Sequence, residues 1–171
     1  MNDDSPWYEN AVLPGLLRHA RYTYGAAMRE ALTAAGFDDI PPSGMYIIGT
    51  LALRGGRASM RELVGDLGVS KQATSELVDT LVSRGYVERA ASEEDRRQLL
   101  VTLTERGREA ARTQAEVRDR IDATLLERVG EEAFRSTRRT LAALIEMRCG
   151  AADSASANDR GLDLDLSRPS L

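Results

Sequence analysis

Apolar positions recur at helical spacing along most of the chain, and this rhythm divides it into elements. Leu13, Leu16, Leu17, Ala20, Tyr24, Ala27, Met28, Ala31 and Leu32 form one broad stripe, which predicts a helix over residues 7–35 with Pro14 marking its first turn. Pro41 and Pro42 stop it, Ser43 is placed to cap a helix over 45–53, and Arg54-Gly55-Gly56 reads as a turn. Met60, Leu63, Val64 and Leu67 fall at i, i+3, i+4 and i+7, a short amphipathic helix. Ala73, Leu77, Val78 and Leu81 predict a second one close behind. After Gly85 the rhythm changes. Tyr86-Val87-Glu88-Arg89 is extended, and Leu99, Val101 and Leu103 alternate with Leu100 and Thr102 as a returning strand. Thr104 then opens a long helix through Val117, Ile121, Leu125 and Val129, which Gly130 breaks. The last helix, over 131–148, turns Phe134, Leu141, Leu144 and Ile145 inward.

The two short helices carry their own start and stop signals. Ser59 and Glu62 stand in the S-x-x-E relation of a capping box. Gly68 follows the last apolar residue, where a left-handed residue ends a helix at little cost, and Ser70 is a good N-cap for the next. On that second helix the apolar set lies opposite Gln72, Ser75, Glu76 and Asp79, with Lys71 and Thr74 on the flanks. Ser70, Lys71, Gln72, Thr74, Ser75 and Glu76 are short, amide-bearing or charged, as readers of base edges must be. An ordinary solvated face is the alternative. The polar stretch from Ala90 to Gln98 is a hairpin tip offering Arg96 and Arg97. Arginine on a thin hairpin suits a narrow minor groove, and Asp95 is placed to orient Arg97 by a charge-assisted hydrogen bond. Helix, glycine turn, helix and hairpin in this order predict a winged helix-turn-helix. The expected class is mainly α with a small β-hairpin wing.

These residues resemble the MarR (multiple antibiotic resistance regulator) family. The matching pieces are Leu63-Val64-Gly65-Asp66-Leu67-Gly68-Val69-Ser70-Lys71-Gln72, Leu77-Val78-Asp79-Thr80-Leu81, Arg84-Gly85-Tyr86-Val87-Glu88-Arg89, Asp95-Arg96-Arg97 and Leu103-Thr104-Glu105-Arg106-Gly107. The resemblance implies one domain over 8–149, with a winged lobe over 43–103 and dimerisation helices over 9–35 and 104–148. It implies a ligand-responsive repressor of a palindromic operator, and the apolar stripes of the flanking helices, with no remaining partner in one chain, predict a homodimer, an intrachain helical bundle being the alternative. Residues 70–76 would enter the major groove and Arg97 the minor groove. The wing departs from the family pattern, because Gln98, Leu99 and Leu100 stand where another basic residue often follows. The resemblance also implies a pocket for a small aromatic or phenolic effector between the first helix and the winged lobe. Arg18, His19, Tyr22 and Tyr46 are its candidate residues, with Arg18 on a ligand carboxylate. Packing of the arm is the other reading of those four.

Composition changes this picture in one respect. A length of 171 residues with 42% hydrophobic and 29% charged residues fits one globular domain, but the net charge is −4. From residue 59 to 102 six Lys/Arg face eight Asp/Glu, so a strong unspecific attraction to phosphate is not expected. The acidic balance supports a rival reading, a dimeric winged-helix scaffold that no longer binds DNA. No apolar run reaches the length of a membrane span, and Met-Asn-Asp-Asp opens no secretory signal, so the expected location is the cytoplasm. The expectation for catalysis is none. His19 is the one histidine and Cys149 the one cysteine, with no phosphate loop or metal-ligand spacing, so neither metal nor cofactor is expected. Cys149 as a redox switch requires a stabilised thiolate, which a helix C-terminus disfavours. Residues 150–171 turn small and polar and are expected to be a disordered tail.

Overall fold

Pro14 lacks an amide hydrogen, and its ring would clash with a carbonyl one helical turn back. The first helix therefore starts beside it rather than at residue 7. In the computed structural model, which describes residues 6–91 and 99–153, α1 spans Leu13–Ala34 with Val12 at its N-cap. The next helix, α2 (Gly44–Leu53), begins one residue earlier than its periodicity suggested. Ser43 occupies the N-cap position but makes no side-chain cap. A turn fixes the start instead, with the Gly44 amide donating to the Pro41 carbonyl at 2.8 Å. A Cβ on Gly44 would press on the side chains of Pro41 and Leu81, so close packing also requires this glycine.

The chain continues through β1 (Arg57–Ser59), α3 (Met60–Leu67), α4 (Lys71–Ser83), β2 (Val87–Ala91) and β3 (Leu99–Leu103). The wing has three strands, not the expected two. β3 is central in the order β1-β3-β2, and both neighbours run antiparallel to it. Ala58 faces Val101 on one side, and Arg89 faces Val101 on the other. The added strand closes the gap between α2 and the helix pair. One core joins these elements: Ile47, Ile48, Leu51, Leu63, Val78, Leu81, Tyr86 and Val101 are all fully buried.

The flanking helices follow as α5 (Glu105–Val129) and α6 (Glu131–Asp153). Thr104 caps α5 by accepting from the Gly107 amide at 3.1 Å. Gly130, at φ +80°, separates the two helices. The sixth helix continues past Gly150 to Asp153, into the stretch expected to be a tail, and residues 154–171 lie outside the described residues. Tyr24 on α1 donates to Asp122 on α5 at 2.5 Å, pinning the arm helices together. Burial first, then that hydrogen bond and the Asp122 charge, push the Tyr24 phenol up to about 12. Within one chain the outer helices leave apolar surface open: Leu144 is 41%, Ile145 44% and Met147 72% exposed. No described helix is long and apolar enough to cross a membrane.

Candidate nucleic-acid interface

The helix-turn-helix is built by the local signals its sequence carries. The Ser59 amide donates to Glu62 Oε2 at 2.7 Å, and the Glu62 amide donates back to Ser59 Oγ at 3.3 Å. Burial pushes the Glu62 carboxyl up, but the Ser59 amide and hydroxyl and the Arg54 guanidinium outweigh it. The net effect holds the acid below its ordinary value. Arg54 also grips Asp66 as a fork, Nε to Oδ2 at 2.9 Å and Nη2 to Oδ1 at 3.1 Å, which ties the end of α2 to α3. Gly68 makes the turn at φ +65°, a conformation that strains any residue with a Cβ. Ser70 caps α4 by accepting from the Ala73 amide at 3.2 Å.

The face of α4 is turned by about one residue from the expected one. Thr74, Val78 and Leu81 are fully buried, while Ala73 is exposed. Thr74 is therefore a correction: at 0% exposure it cannot reach a base edge. Its hydroxyl donates to the Ser70 carbonyl at 3.1 Å, which satisfies the polar atom and frees the methyl to join the core. Ser70, Lys71, Gln72 and Glu76 remain on the open face, with Ser75 partly covered. Gln72 Nε2 donates to Glu76 Oε1 at 3.0 Å, an i,i+4 pair that fixes both ends on the surface. Arg89 crosses from β2 to the same helix, with Nη2 2.9 Å from Asp79 Oδ1 and 3.4 Å from Ser75 Oγ. This tie holds the wing against α4, a contact the sequence reading did not foresee. Asp95, Arg96 and Arg97 at the wing tip lie outside the described residues.

A cleft of about 670 Å³ opens between α1 and the helix-turn-helix, where the effector pocket was expected. Of the four candidates only Tyr46 lines it. Arg18, His19 and Tyr22 lie exposed on α1 outside its lining, and Tyr22 is 75% exposed. The arginine in the cleft is Arg21, which donates from Nε to the Tyr46 hydroxyl at 3.0 Å and sits 4.4 Å over its ring. The signal for it was present: Leu17, Arg21, Tyr24, Met28 and Leu32 follow one another by steps of four or three along one face. Ala73, Glu76, Leu77 and Thr80 of α4 form the opposite wall. Among the described residues no group of three or more His, Cys, Asp or Glu is placed to hold a metal.

A helix-turn-helix, a wing packed beside its second helix, and long flanking helices define a winged-helix protein. Residues 38–98 match the model of the MarR family. A MarR transcriptional regulator from Methanosarcina mazei Go1 has a similar structure, with a TM-score of 0.65 at 22% identity, covering 81% of this chain and 97% of that one. A MarR family regulator from Silicibacter pomeroyi gives 0.67 at 21% identity, covering 85% and 95%. The reduced form of MarR from E. coli gives 0.60 at 21% identity, covering 78% and 96%. No curated protein matches the chain in sequence. The match to the MarR family model is confined to the winged lobe, and the similar structures show that the shared fold extends over the flanking helices.

Proposed function

We propose that the chain is a homodimeric, sequence-specific DNA-binding regulator of transcription, acting in the cytoplasm as a ligand-responsive repressor. The observation that supports this reading is the open N-terminal face of α4, where Ser70, Lys71, Gln72 and Glu76 are exposed on a helix that Arg89 of the wing pairs with through Asp79. Gln72 reads an adenine edge through its amide, Lys71 reaches guanine or phosphate, and Glu76 accepts from cytosine. Arg96 and Arg97 supply the minor-groove contact, with Asp95 orienting Arg97. The exposed apolar residues of α5 and α6 support burial against a twin, whose twofold axis would set two α4 helices about 34–36 Å apart. The cleft takes a small aromatic or phenolic effector, with Arg21 and Tyr46 as its polar contacts.

Selection of bound sequences from random DNA tests the reading, and a twofold-symmetric site is the expected result. Gln72→Ala should then weaken binding to the selected site by about 1–3 kcal/mol while leaving random DNA nearly unaffected. Equal loss on both would remove Gln72 from sequence reading. The acidic balance favours one rival, a dimeric scaffold without DNA binding. Failure to shift any DNA at low salt would establish it.

A further inference from the structure

The C-terminus of α4 is anchored in an unusual way. The helix ends in a Schellman turn: the Tyr86 amide donates to the Leu81 carbonyl and the Gly85 amide to the Val82 carbonyl, both at 2.9 Å, with Gly85 at φ +73°. Such a turn leaves the carbonyls that follow it in need of donors. All of those on Arg84, Gly85 and Tyr86 are taken by the first turn of α5. Arg106 Nη1 donates to the Arg84 carbonyl at 2.9 Å. Thr104 Oγ1 donates to the Gly85 carbonyl at 2.6 Å, and the Thr104 amide donates to the Tyr86 carbonyl at 3.1 Å. The guanidinium of Arg106 also stacks 4.4 Å over the Tyr86 ring and pairs with Asp39 at 3.0 Å. Gly107 brings the α5 backbone so close to Tyr86 that a Cβ there would collide with its carbonyl oxygen.

We infer that Thr104 and Arg106 are positioning residues that bolt the reading helix to the dimer arm and so set the half-site spacing the protein accepts. This rests on the proposed dimeric DNA-binding reading. α5 is both the start of the arm and the cap of the recognition helix, with no flexible linker between the two roles. A rotation of the arm turns α4 with it. Inserting one base pair between half-sites rotates one against the other by about 34–36°. A rigid head cannot follow that rotation without deforming the DNA, whereas a loosened one can.

The test uses the full-length dimer and operators that share one pair of half-sites but differ by one or two base pairs between them. The wild type should lose about tenfold or more in affinity for each step away from the optimum, within the range of coupling energies that local networks carry. Arg106→Gln removes the contact with the Arg84 carbonyl and leaves the α5 cap intact. It should reduce that loss to about threefold or less while keeping the preference for the half-site sequence. Thr104→Val should flatten the profile too, and Thr104→Ser, which keeps the hydroxyl, should restore the steep one. Steep profiles in both Arg106→Gln and Thr104→Val, with dimers intact by sedimentation, would overturn the inference while the DNA-binding reading stands. Absence of specific binding by the wild type would instead remove that reading, and this inference with it.

Discussion

Tyr86→Phe probes the joint between lobe and arm without opening a cavity of any size. The ring is fully buried and meets Phe37 edge-on, and its hydroxyl bonds to Asp39 and to Arg106. Hydrogen bonds to charged partners contribute about 1.5–3 kcal/mol each when buried. Here Asp39 and Arg106 are partly exposed and remain paired with each other, so solvent recovers part of the loss. The expected destabilisation is therefore about 1–2 kcal/mol at neutral pH, or roughly 2–8 °C in Tm for a chain of this size. The alkaline limb gives the sharper signature. Burial, followed by the Asp39 hydrogen bond, pushes the Tyr86 phenol up to about 12 despite the opposing effect of Arg106. An unfolded tyrosine titrates near pH 10. The native state thus keeps a proton that the unfolded chain releases, and stability falls as pH rises from about 10 to about 12. The Phe variant lacks this term, so the gap between the two proteins should close across that window. Tyr24, raised by the same amount, leaves a residual slope that Tyr24→Phe removes. Denaturant melts by circular dichroism at fixed protein concentration, from pH 7 to 12, measure both effects. Equal midpoints at neutral pH, or a gap that stays constant up the alkaline limb, would refute the role assigned to the hydroxyl.

Gly107→Ala should destabilise the fold by about 1–3 kcal/mol, because the new methyl meets the Tyr86 carbonyl rather than a movable side chain; thermal melts check it. Thr74→Val should cost about 1 kcal/mol or less and leave the selected DNA sequence unchanged, since its hydroxyl bonds only within the helix; a changed base preference would return Thr74 to the reading face. Under the proposed dimeric reading, the salt dependence on random DNA should not exceed that of about six phosphate contacts, from Lys71, Arg96 and Arg97 of each protomer, a log–log slope of roughly −5. A slope of about −8 would mean that paired arginines such as Arg89 swing over to phosphate.

The features legible in the sequence are those whose causes are local. Ser59 with Glu62, Gly68 and Ser70 act within one helical turn, and each does in the structure what its spacing implied. What the sequence does not show depends on atoms far away in the chain or on a polar group satisfied internally. Thr74 looked outward by composition, yet a bond to the carbonyl four residues back lets it displace Ala73 from the core. The three residues of β1 are too few to show a rhythm, and they become a strand only by pairing with residues 100–102. Arg21 stands in an apolar series with nothing local to mark it, because the aromatic ring that explains it, Tyr46, is on another helix. Arg89 was legible as part of an extended segment but not as a partner of Asp79, since register and twist decide which strand residue meets the helix.

These internal pairings bear on how an acidic chain would read DNA under the proposed function. Of 23 basic residues, one is lysine, and the arginines that could draw phosphate are widely used inside the fold. Arg54 is forked on Asp66, Arg89 is held by Asp79, and Arg106 lies between Asp39 and the Arg84 carbonyl. Farther along α5, Arg108 and Arg112 share Glu105, whose acid those two guanidinium groups lower. Each such pair cancels charge at long range, and those of Arg54, Arg89 and Arg106 also fix one element against another. The chain thereby exchanges attraction for geometry. If the proposed dimeric DNA-binding reading holds, unspecific affinity should be weak, and discrimination would come from presenting two faces at one separation and angle. That requirement makes the contact between α5 and the end of α4 the natural place for specificity to be set, because a loose head on a weakly attracted protein would lose both terms together.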